Sequence, residues 1–137
     1  MKLYGYWRSG AAYRVRIALN LKGITYEHVG VHLLRDGGEQ NAPAYRVLNP
    51  QGRVPCLVLD GGTVLIQSPA ILEWLEETFP EPPLLPKDPV QRAKVRGLAA
   101  LIGCDIHPLN RIGRVAESCA SIEAFWRAAP ENQPDAE

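Results

Sequence analysis

The sequence predicts an α/β fold, a four-stranded mixed sheet with helices on its faces, followed by an all-α region. Three observations carry that expectation. Short β-type runs alternate with segments of helical spacing in the order β-α-β and then β-β-α. A tight turn, Asp60-Gly61-Gly62, joins two of the runs and makes them antiparallel, whereas the first two, separated by a helix, must be parallel. A proline-rich stretch (Pro80, Pro82, Pro83, Pro86) then divides this unit from the remainder of the chain.

Each element has its own signal. Residues 2–6 are aromatic-rich, precede a glycine-containing break and read as the first strand. Residues 11–22 place Val15, Ala18, Leu19 and Leu21 at helical spacing, with Arg14, Arg16 and Asn20 between them and Gly23 as the stop. Residues 26–32 alternate and form the second strand. Residues 33–44 hold Asp36-Gly37-Gly38 and Pro43 and read as a loop; 45–48 make a short helix ended by Asn49-Pro50. Residues 54–59 and 64–66 are strands three and four. Ser68-Pro69 reads as a cap and first-turn proline, opening a helix to about residue 79 with Ile71, Leu72 and Leu75 inward. Asp88 and Gln91 form a capping box for a helix to about residue 103, with Val95, Leu98, Leu101 and Ile102 apolar. A further helix is expected over 112–129, then a polar tail.

That order is the thioredoxin-like layout. The expected organisation is a thioredoxin-like domain over 1–80, a linker over 81–86 and a helical region over 87–137. With 46% apolar residues in 137, one real core is possible and global disorder is not expected. Fifteen basic and fifteen acidic side chains cancel, so no global field draws nucleic acid or anionic lipid. No apolar run is long enough for a membrane span, and the N-terminus lacks the apolar stretch of a signal peptide. Cys56, Cys104 and Cys119 form neither a CxxC pair nor a metal pattern; buried, inert thiols in a reduced cytosolic setting are expected.

Three places carry chemistry. The turn Trp7-Arg8-Ser9-Gly10 precedes the first helix, where unpaired N–H groups and the positive dipole end lower the pKa of a thiol. Ser9 can donate its hydroxyl hydrogen to such a sulfur, or simply cap the helix. No cysteine stands in the turn, so a thiolate there must arrive with a ligand. Arg8 suits a carboxylate, or is merely solvated. Val54-Pro55 puts proline at a strand start. In thioredoxin-like folds this proline is cis and exposes the preceding backbone to a peptide-like ligand; an ordinary edge proline is the alternative. Gln67-Ser68 opens the next helix, either as an anion site for an amino-acid carboxylate or as a bare cap.

Trp7-Arg8-Ser9-Gly10 followed by Tyr13-Arg14-Val15-Arg16-Ile17-Ala18-Leu19 resembles the zeta-class glutathione-transferase signature S-S-C-x-W-R-V-R-I-A-L. Leu48-Asn49-Pro50, Val54-Pro55, Gln67-Ser68-Pro69-Ala70-Ile71 and Glu73-Trp74-Leu75-Glu76-Glu77 continue the resemblance. Cys104-Asp105-Ile106-His107-Pro108-Leu109-Asn110 is similar to the start of the helical domain in bacterial maleylpyruvate isomerases. The second Ser and the Cys of the signature are Gly10 and Ala11 here, a departure shared with those bacterial enzymes. Family members are longer: the sequence passes near Asn110-Arg111 to what resembles the family's C-terminal end, which implies a truncated helical region.

The resemblance implies a glutathione-dependent cis–trans isomerase of maleylpyruvate- or maleylacetoacetate-type diacids. Thiolate addition turns the double bond into a single bond, rotation comes next, and elimination restores the alkene and the cofactor. It further implies that Ser9 stabilises the thiolate and Arg8 holds a substrate carboxylate. Glutathione is then held by Ser9, Gly10, Ala11, Gln40, Val54, Pro55, Gln67 and Ser68, with Asp105, His107 and Asn110 lining the site from the helical side or from a partner subunit. A homodimer is expected, with no metal. A non-catalytic glutathione-binding remnant, a general transferase and a thioredoxin-like interaction module are the alternatives.

Overall fold

The computed structural model describes residues 1–108. The chain divides after Pro86 into two compact units. The first contains β1 (Lys2–Gly5), α1 (Gly10–Leu21), β2 (Glu27–Gly30), α2 (Pro43–Leu48), β3 (Cys56–Val58), β4 (Val64–Ile66) and α3 (Ser68–Thr78), with two single 3-10 turns at Arg35–Gly37 and Glu39–Asn41. The second opens with α4 (Pro89–Ala100). The expected helix over 112–129, the tail and Cys119 lie outside the described residues.

The four strands form one mixed sheet in the order β2-β1-β3-β4. β1 runs parallel to β2, as a helical crossover requires, and β3 is antiparallel to both β1 and β4. Side chains alternate across the sheet, and each face has its own cover. Leu3 and Leu57 pack with Val15, Ala18 and Leu19 of α1 and Ile71 and Leu75 of α3. On the opposite face Cys56 packs with Val31 and with Tyr45 of α2. This is the thioredoxin-like arrangement expected from the order of elements.

Several local expectations are corrected. Leu21 is exposed and Ala12 joins the buried face of α1 instead; Leu21 stands two residues beyond Leu19, about 200° round the helix. Ser68 does not cap α3. A single residue, Gln67, lies between β4 and α3, so it must reverse the chain alone; it takes φ +68° and is the cap, leaving Ser68 buried inside the first turn. Asp88 does cap α4, accepting from Gln91 N–H at 2.9 Å. Gly103 does not end that helix. It has no positive φ, and the chain widens into π-type winding over Leu101–Ile106 and stays helical through 108. Cys56 is buried as expected, and burial pushes its thiol up to about 11. Cys104, expected to be buried, is exposed, as is most of the π-type segment that carries it.

One buried device had no local signal in the sequence. Lys22, just past α1, has a fully buried ammonium that donates to Glu76 Oε2 of α3 at 2.9 Å and to the carbonyls of Phe79 and Pro82 at 2.5 and 3.1 Å. Glu76 in turn accepts from the N–H groups of Leu84 and Leu85. The pair ties the proline-rich segment to both helices.

Candidate glutathione site

The strand register gathers four of the predicted segments at one end of the sheet. Gly5 pairs with Gly30, so β1 and β2 both leave there, into the turn at 7–9 and the loop that carries Gln40. Tyr4 pairs with Cys56, so Val54 and Pro55 enter at the same end. Cys56 also pairs with Ile66, so Gln67 and Ser68 leave there too. The N-termini of α1 and α3 therefore both open at this end, each with unpaired N–H groups and a positive dipole end.

At the first helix, Ser9 Oγ accepts from Ala12 N–H at 3.2 Å, and Ser9 C=O accepts from Tyr13 N–H at 2.8 Å. Ser9 is thus the N-cap, which leaves the N–H groups of Gly10 and Ala11 without helical partners. Capping uses a lone pair of the hydroxyl; its hydrogen remains available to donate. The two readings of Ser9 are therefore compatible. A shallow depression of about 270 Å3 opens here, lined by Trp7, Arg8, Ser9, Gly10, Tyr13 and Arg16. Arg8 Cζ lies 5.5 Å from the Trp7 ring centroid.

Gln40 follows a closed loop. His32 N–H donates to Glu39 Oε2 at 2.6 Å, Glu39 N–H donates to His32 C=O at 2.8 Å, and the His32 ring stands 4.9 Å from that of Tyr6. His32 Nδ1 accepts from Leu34 and Arg35 N–H. Gln40 Nε2 reaches Leu33 C=O at 3.4 Å, while its Oε1 is buried with no partner among the described residues. Gly38 holds φ +95°, a conformation that side chains rarely adopt, so glycine suits the position, and a side chain there would also press on the Gln40 amide and shift it.

The Val54–Pro55 peptide is cis, as expected. The approach to it is pinned from beneath: Tyr45 Oη donates to Arg53 C=O at 2.6 Å and Asn49 Nδ2 to the same oxygen at 2.7 Å. Burial above all, with neighbouring Cys56 adding, holds the Tyr45 phenol above its ordinary value of 10, so it stays a neutral donor; the Asn49 hydrogen bond works the other way. From the same loop Gln51 Oε1 accepts from Gln67 Nε2 at 2.6 Å.

Gln51 is a functional candidate with no signal in the sequence, and Tyr13 and Arg16 stood there only as part of the run 13–19 that carries the resemblance, not as site residues. Arg16 Nη2 donates to Trp7 C=O at 3.1 Å and its Cζ lies 5.5 Å from the Tyr13 ring centroid. Of the helical-region candidates, Asp105 and His107 belong to the second unit, and Asn110 lies outside the described residues.

A sheet of this order with a capped helix start, a cis proline and a second helix start at one end defines a thioredoxin-like domain of the glutathione-transferase type. The chain belongs to the glutathione S-transferase family: residues 8–78 match the model of its N-terminal domain. It is similar to the maleylacetoacetate isomerase of Pseudomonas aeruginosa, 64% identical over 110 residues that cover 80% of this chain and 52% of that protein. Among solved structures it is similar to a bacterial zeta-class maleylpyruvate isomerase in its holo form, with TM-score 0.81, 51% identity and coverage of 96% of this chain and 59% of that one. The maleylacetoacetate isomerase of Methylobacterium extorquens AM1 with bound malonate and glutathione gives TM-score 0.80 at 50% identity, covering 90% and 56%. The chain spans about half the length of the curated relatives it matches.

Proposed function

We propose that this chain acts as a glutathione-dependent cis–trans isomerase of maleylpyruvate- or maleylacetoacetate-type diacids, working in the cytosol as a homodimer. The observation that carries this reading is the turn at 7–9: a helix cap whose hydroxyl keeps its hydrogen, facing a depression that two arginines line and that no cysteine enters among the described residues. Such a place suits a thiolate delivered by a ligand and an anionic substrate beside it. Names borne by similar proteins, and malonate and glutathione bound in one of them, support the same substrate class.

The residues present fit glutathione. Gln40 offers an orphaned buried acceptor, and two helix N-termini offer free N–H groups at the same end of the sheet. When bound, glutathione supplies the thiolate that adds to the double bond, lets it rotate and leaves. Ser9 donates to the sulfur and holds it ionised, helped by Gly10 and Ala11 N–H and the α1 dipole. Arg8 binds a substrate carboxylate through its forked N–H groups. The Val54 backbone, before Pro55, pairs with the peptide part of the cofactor, and Gln67 and Ser68 hold its γ-glutamyl carboxylate at the start of α3. Asp105, His107 and Asn110 are glutathione contacts by resemblance alone. The domain is placed at 1–80, the linker at 81–86 and the helical region at 87–137.

A glutathione-affinity column and a maleylpyruvate absorbance assay test the reading. Retention with decay of the absorbance is expected. Retention without decay would reduce the chain to a glutathione-binding protein, and failure to bind, in folded protein, would remove the whole proposal. Gel filtration checks the dimer.

A further inference from the structure

We propose that Arg16 is a positioning residue for the turn at 7–9 and a second fixed cation beside Arg8. This rests on the glutathione reading and deepens it. Arg16 stands two turns into α1, where side chains lean back toward the helix N-terminus. Its guanidinium therefore reaches across nine residues to the Trp7 carbonyl, 3.1 Å away. Tyr13, three residues earlier on the same face, lies beneath it at 5.5 Å, so ring and carbonyl together fix the planar group in one orientation.

That geometry has two consequences. The bond to Trp7 C=O holds the first peptide of the turn from which Ser9 caps the helix, so the hydroxyl is presented in one place rather than several. The bond uses one of five guanidinium N–H groups, and the full positive charge stays at the wall of the depression that also holds Ser9 and Arg8. A thiolate arriving there meets two cations and a helix dipole. Arg14, the other arginine of the same run, does not line the depression and provides a control of equal charge.

The test tracks the ultraviolet thiolate absorbance of glutathione bound to the full chain, titrated against pH, together with kcat and KM. Arg16→Gln is expected to raise the apparent pKa of the bound thiol by about one unit and to lower kcat about tenfold, with KM for glutathione little changed. Arg16→Lys keeps the charge but not the forked reach, and is expected between Arg16→Gln and the wild type. Arg14→Gln is expected to titrate as the wild type does. An Arg16→Gln protein that titrates like the wild type, or an Arg14→Gln protein shifted equally, overturns the inference while the glutathione reading stands. If Arg16→Gln fails to fold, a lysine variant matching the wild type in both kcat and titration overturns the positioning role. A wild-type protein that binds glutathione with no thiolate signal overturns this inference and the thiolate reading beneath it.

Discussion

Ser9 serves the fold and the proposed chemistry through one oxygen, and the two can be separated. Its lone pair caps α1, so Ser9→Ala is expected to cost about 1 kcal/mol, read from a urea melt. The lost donor is expected to lower isomerase activity about a hundredfold while glutathione affinity changes little; equal losses in both would contradict the thiolate role. Gln67 shows the opposite trade. A non-glycine residue at φ +68° carries strain, so Gln67→Gly is expected to stabilise the protein by about 1 kcal/mol and to weaken retention on glutathione. Unchanged retention would remove Gln67 from the site, and unchanged stability would contradict the strain. Both residues were legible in the sequence as helix-start features. The strain at Gln67 was not, because it arises from β4 abutting α3 with one residue between them.

Among the elements, α1 and α3 are joined through apolar packing and through the buried pair Lys22–Glu76. Glu76→Ala leaves the Lys22 ammonium buried without its carboxylate and strips acceptors from Leu84 and Leu85 N–H. A loss of about 3 kcal/mol is expected in chemical denaturation. The pH dependence has a defined sign. Burial pushes the Glu76 carboxyl up, but hydrogen bonds from Lys22 and from Leu84 and Leu85 N–H, with the Lys22 charge, outweigh it and hold the group below its ordinary 4.5. Its contribution is therefore fully present above pH 4.5 and is lost as pH falls through the depressed value. Acid melts of the wild type are expected to steepen below that pH, and those of Glu76→Gln to lack the added slope; identical slopes would show that the pair does not govern acid stability.

At the scale of the molecule, the two buried clusters found among the described residues draw their members from the first 84 positions. The Lys22–Glu76 contacts also close within the unit Met1–Pro86. A fragment of residues 1–86 is expected to unfold cooperatively by itself. A broad, non-cooperative melt of that fragment would show that its core needs the rest of the chain.

Element types and their order could be read without coordinates, because periodicity and turn residues are local: Asp60-Gly61-Gly62 dictates a hairpin, and Asp88 with Gln91 a helix start. The candidate residues Ser9, Val54, Gln67 and Ser68 were legible for the same reason, each at the start of a helix or strand. What tertiary structure alone decided is which distant groups meet. Register brought four segments to one end of the sheet, packing carried Lys22 to Glu76 across 54 positions, and a helix face aimed Arg16 at Trp7. Local sequence sets the backbone's small menu of conformations, but partners far apart in the chain are chosen only when the apolar faces close on one another and buried polar groups must find their hydrogen bonds.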